Sequence, residues 1–192
     1  MDCSCGAGEG DRKMYLNRAL RAADWFVNSR YRGEHRFDGG NGRFLYYYFM
    51  PGKKSLPGIN WSHGGALFVL TEAYKRSGER KYLEAAVDGA RYVQALQQVD
   101  PTRPATFGVF AEEIPQCSWG GILDGAQAAS GMLMLYEVTG EEIYLRHGRA
   151  FCDWLVRNWR PGAPLPPRVE RSEEHTSELQ PPNTGSYAGF GW

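Results

Sequence analysis

The stretch WGGILDGAQAASGMLMLYEVTGEEIYLRHGRAFCDWLVRNW, residues 119–159, decides the fold class of this chain. It divides at Thr139-Gly140 into two segments of opposite character. The first carries no charge between Asp124 and Glu137. The second sets Glu141, Glu142, Arg146, Arg149, Asp153 and Arg157 between the apolar residues Ile143, Leu145, Phe151, Trp154 and Leu155. Charge and apolarity alternating at helical spacing give one wet and one dry face, so the second segment is an amphipathic helix. The uncharged segment is expected to be a buried helix that the amphipathic one covers, with Cys152 a small buried hydrophobe on its dry side.

The same pair occurs earlier. A shift of 62 residues places Tyr74 on Tyr136, Gly78 on Gly140, Tyr82 on Tyr144, Leu83 on Leu145, Tyr92 on Trp154 and Val93 on Leu155. Ser62 is a candidate N-cap for an uncharged helix from about His63 to Arg76. Ser77-Gly78 ends that helix, and a second amphipathic helix follows from Arg80 to about Gln98. Trp61 and Trp119 stand 58 residues apart rather than 62, which puts a difference of about one helical turn in the approach to one buried helix. A helix from Asp11 to about Ser29 shares the outer pattern. Its Tyr15, Leu16, Asp24, Trp25 and Val27 fall on Tyr144, Leu145, Asp153, Trp154 and Val156.

A two-helix unit cannot cover its own buried member. The stable solution is a ring or stack of inner helices sheltered by outer ones, so an all-α, partial α/α toroid is expected over residues 11–160. Six such pairs would need about 370 residues, and the chain is expected to be a fragment of one. Around the helices, residues 1–10 are small and polar and are expected to be disordered. Residues 31–60 read as a long loop with short strands near Tyr46, and residues 100–118 as a second loop. An irregular tail occupies residues 161–192.

Composition narrows the function classes. The 22 lysines and arginines equal the 22 aspartates and glutamates, which removes the electrostatic argument for a nucleic-acid or acidic-membrane partner. No uncharged apolar run is long enough for a membrane span, and the first residues have no signal-peptide core, so a cytoplasmic location is expected. The four cysteines form no disulfide framework in a chain of this size, and no metal or other cofactor is expected.

Trp61-Ser-His63-Gly-Gly, Ala73-Tyr74, Ser77-Gly78 and Lys81-Tyr82-Leu83 recur as Trp119-Gly-Gly, Asp124-Gly125, Tyr136, Thr139-Gly140 and Tyr144-Leu145. This pattern resembles the six-hairpin glycosidase superfamily over about residues 13–160. The resemblance implies sugar binding at one mouth of a toroid, with aromatic stacking and an aspartate or glutamate as acid or base. The matching position is Asp124, which is the expected catalytic residue; its place at a helix N-terminus also suits a plain capping role. His63, Trp61, Trp119, Asp38 and Glu113 are the expected substrate-binding residues. A glycosidase needs a second carboxylate, and Asp38, Glu112 and Glu113 are the candidates, each otherwise a solvated loop acid. The chain is also similar to the zinc-binding lanthionine-cyclase toroids in a His-Gly and a cysteine, Cys117. The Cys-His-Gly element of those proteins is absent.

The expected function is a glycoside hydrolase acting on an oligosaccharide, with a lyase or epimerase reaction open at the same site. A non-catalytic helical-repeat module binding a glycan or protein, and an inactive truncated product, are the alternatives. Residues 171–180, RSEEHTSELQ, resemble at every position one reading frame of a short-read sequencing adapter. That resemblance implies an artefactual tail, and neither His175 nor Glu173 is assigned to a site.

Overall fold

In a computed structural model the chain is all-α, and its described residues form five helices and two small two-stranded sheets. The structure describes residues 8–30, 42–52, 54–57, 60–162 and 168–170. Asp38 and the adapter-like segment lie outside them. The helices are α1 (Glu9–Asn28), α2 (Asn60–Ser77), α3 (Arg80–Leu96), α4 (Ile122–Thr139) and α5 (Glu142–Asn158). Strands β1 (Leu45–Phe49) and β2 (Lys54–Pro57) pair antiparallel, as do β3 (Trp119–Gly121) and β4 (Arg168–Glu170).

The 62-residue repeat holds at the level of single hydrogen bonds. Gly78 and Gly140 each donate N–H to the carbonyl of the repeat tyrosine, Tyr74 at 2.8 Å and Tyr136 at 2.7 Å. Both glycines have φ near +70°, which an L side chain rarely adopts, so each helix stops there. The hydroxyls of Ser77 and Thr139 then accept N–H from Glu79 and Glu141, at 3.1 and 3.2 Å. Each acidic residue's carbonyl in turn receives the N–H of Tyr82 or Tyr144, at 3.1 Å in both repeats. The turn is one device used twice.

Helices α2 and α4 pack against each other, α3 covers α2, and α5 covers α4. Small residues set the central crossing. A Cβ on Gly64 would lie 2.3 Å from the backbone carbonyl of Gln127, so the two helices meet backbone to backbone. Around that contact Leu67, Leu70, Tyr82, Tyr92, Val93, Met132, Leu135 and Phe151 are buried. Each large side chain removed from water in this way contributes about 1.5–3 kcal/mol before conformational entropy is counted.

Three expectations need correction. Neither α2 nor α4 is buried all round: Phe68 is 51% exposed and Leu123 71% exposed, because each helix has neighbours on only part of its circumference. Cys152 is exposed rather than buried, since Phe151 and Trp154 turn inward and leave it on the outer side of α5. Helix α1 shares a sequence pattern with α5 but not its burial. Trp154 is buried and its Nε1–H donates to the Ala105 carbonyl at 2.8 Å, whereas its counterpart Trp25 is exposed. Helix α1 leans on α2 and α3 through Ala23, and Asp24 fixes it there by accepting from Tyr82 Oη at 3.0 Å and pairing with Lys81 Nζ at 2.8 Å.

Candidate active site

The segment between α3 and β3 is ordered by pairing on both sides. Gln98 N–H donates to Val109, Gly108 N–H to Gln98 and Ala111 N–H to Leu96, each at 2.8 Å. Val109, Phe110 and Ala111 are consequently buried. Glu112 continues this segment: its N–H donates to the Trp119 carbonyl in β3 at 3.1 Å, and its own carbonyl receives the Asn60 N–H at 3.0 Å. The residue therefore joins β3 to the start of α2. It is 4% exposed, which overturns the expectation of a solvated loop acid.

Inside, Oε2 of Glu112 accepts the Gly121 N–H at 3.1 Å and Asn60 Nδ2–H at 3.4 Å. The carboxyl of Asp124, in the first turn of α4, approaches it over Gly121. A Cβ on Gly121 would begin 2.5 Å from Oδ2 of Asp124 and 3.0 Å from Oε2 of Glu112. Both acids thus converge over the bare Cα of Gly121. Burial, followed by the Asp124 charge, pushes the Glu112 carboxyl up to about 7, against the opposing pull of the Gly121 N–H and the Asn60 amide. A carboxyl with that proton affinity exchanges a proton near neutrality.

The other expected residues fall in different places. His63, at the start of α2, is fully buried; its Nε2 accepts the Phe44 N–H at 2.8 Å, and its ring lies tilted between Phe44 and Tyr92 at centroid distances of 5.3 and 4.4 Å. A ring nitrogen that accepts is unprotonated, so this imidazole is neutral and holds the segment before β1 against α2. The Glu113 side chain is exposed, but its carbonyl accepts from Tyr92 Oη and from Arg43 Nη2, the latter at 3.3 Å. Those two contacts anchor the backbone beside Glu112. Trp119 is half-buried in β3, and Trp61 lies in the first turn of α2. Cys117 is half-buried and packs against the core.

Helices α2 and α4 form a groove of about 270 Å³ lined by Gly64, Gly65, Phe68, Leu123, Gln127 and Ser130, with neither acid in its lining. Leu123 and Gln127 flank the turn of α4 that carries Asp124. Phe68 presents a half-exposed ring here, an aromatic that the lack of charge in α2 assigned to a buried helix. Among the described residues no three His, Cys, Asp or Glu side chains gather as a metal site, and no helix is long and apolar enough to cross a membrane. Compared with known protein families and with characterised proteins, the chain matches none.

Proposed function

We propose that this chain is part of a carbohydrate-active hydrolase, with Asp124 as its general acid and base and an oligosaccharide as its substrate. The observation that carries the reading is the convergence of the Glu112 and Asp124 carboxyls over Gly121 at the N-terminus of α4. One proton held between two carboxyls can be given to a glycosidic oxygen and recovered from a water. The two inner helices with their outer partners are the units an α/α toroid repeats. Consecutive hairpins of such a ring would present the groove and the acids at one mouth.

The geometry also assigns the pair a single role. Oδ2 of Asp124 and Oε2 of Glu112 both lie within 3.0 Å of where a Gly121 Cβ would stand, so the two carboxyls work from one side. They act as one acid–base unit. A flanking nucleophile or base then comes from elsewhere, and Asp38 and Glu113 are the remaining candidates among the loop acids. Phe68, beside Gln127 and Ser130, offers a sugar an apolar face and adjacent hydrogen-bonding groups.

The test is hydrolysis of a panel of oligosaccharides, including unsaturated uronides, by the wild-type chain and by Asp124→Asn. Turnover by the wild type and a loss of about 10²- to 10⁴-fold in the folded variant is the expected result. Retained binding with no turnover in either protein would instead make this a glycan-binding module.

A further inference from the structure

The residue that grips Glu112 most completely is Asn60. It is fully buried, it begins α2, and it holds Glu112 at two points: backbone N–H to carbonyl at 3.0 Å, and side-chain Nδ2–H to Oε2 at 3.4 Å. A helix-starting asparagine usually turns its side chain to the amides of its own first turn. Here one of its donors is directed across the fold, onto a carboxylate of another segment. The Gly121 N–H reaches the same oxygen from the opposite element.

Resting on the acid–base reading above, we propose that Asn60 is a positioning residue for the carboxyl pair, and that Glu112 is the proton reservoir of Asp124 rather than a group that touches substrate. Glu112 is buried, while Asp124 is only half-buried. The one proton of the pair rests on Glu112 and passes to Asp124 as Asp124 protonates the leaving oxygen. The negative charge left on Glu112 is then received by the Asn60 amide and the Gly121 N–H. When water is later deprotonated, the proton returns by the same route, so the pair ends as it began. Hydrogen bonds to the charged form of a buried carboxyl make that transfer possible, because an unsupported buried anion is costly.

The test needs no substrate. In the full chain labelled with ¹³C at glutamate carboxyls, one resonance is expected to titrate near 7 and to vanish in Glu112→Gln. Asn60→Ser keeps a residue suited to a helix start but loses the reach to Glu112. It should raise the proton affinity of that resonance about three- to tenfold, the worth of one hydrogen bond to the charged form. Asn60→Asp, nearly isosteric, should raise it further by adding a third acid, and it serves if the serine variant fails to fold. An unchanged midpoint in a folded Asn60 variant would overturn the role of Asn60. The absence of any glutamate titrating near neutrality would overturn the reservoir. Either failure, beside an inactive Asp124→Asn, would leave the hydrolase reading standing.

Discussion

Lys75 and Glu137 stand 62 residues apart, one full repeat, and their side chains meet at 2.7 Å. Each follows the repeat tyrosine directly, so the pair links equivalent points of α2 and α4 across the inner face. The bridge is exposed, and Lys75 also reaches Glu72 at 3.2 Å. Lys75→Glu should lower the melting temperature slightly at low ionic strength, and adding Glu137→Lys should restore it. Thermal melts in 20 mM and 500 mM salt would check this: Debye screening should erase most of the difference at the higher concentration.

The Glu112 carboxyl ties stability to pH. Its value in the folded chain, about 7, is raised above the ordinary 4.5, so the folded state binds the extra proton between those limits. The stability this supplies is complete below pH 4.5 and is lost as the pH rises through 7, by up to about 3 kcal/mol. Glu112→Gln resembles the protonated form and should remove that loss. Urea unfolding at pH 5 and pH 8 measures it as a difference in slope between the two proteins.

His147 works in the opposite direction. Its Nδ1 lies 2.5 Å from Gln97 Oε1, while Gln97 Nε2 donates to the carbonyls of Gly108 and His147, at 2.8 and 2.9 Å. Those two donor bonds fix the amide, so Nδ1 carries the proton. Burial, then the Arg146 charge, lowers its proton affinity below the ordinary 6.5. The resulting stability is present above 6.5 and disappears as the pH falls through the folded value. Replacing His147 with Gln should flatten the acid limb of the stability profile, read by chemical unfolding from pH 7 to pH 5.

Gly64→Ala tests the helix crossing. The added methyl would lie 2.3 Å from the Gln127 backbone, which cannot move aside as a side chain would. A loss of about 2–3 kcal/mol or more is expected, at the upper end for overpacking, measured by urea unfolding. Gly65→Ala is the control, because a Cβ there meets nothing within 4 Å.

What the sequence discloses follows how local each cause is. The Ser/Thr-Gly turn and the Tyr that follows it are set within ten residues, and the repeat is legible for that reason. The burial of Glu112 is set by Trp119 and Asn60, which no periodicity connects to it. Only the apolar run Phe107 to Ala111, flush against the acid, hints at it. The uncharged faces of α2 and α4 were legible as apolar, but Phe68 and Leu123 show that lack of charge does not say which face is covered. Asp124 is legible by its place at the start of an uncharged helix; its partner is not.

Asn60 and Glu112 are separated by 52 residues, and the whole of α2 and α3 lies between them. Closing so long a loop is slow relative to forming a helix, so contacts of this range are made late in folding. The proton-sharing pair consequently assembles only after both helices have docked and the segment behind Phe110 has zipped onto Leu96 and Trp119. A partly folded chain has the acids but not the burial that raises Glu112, which makes the titration near neutrality a signal of completed folding.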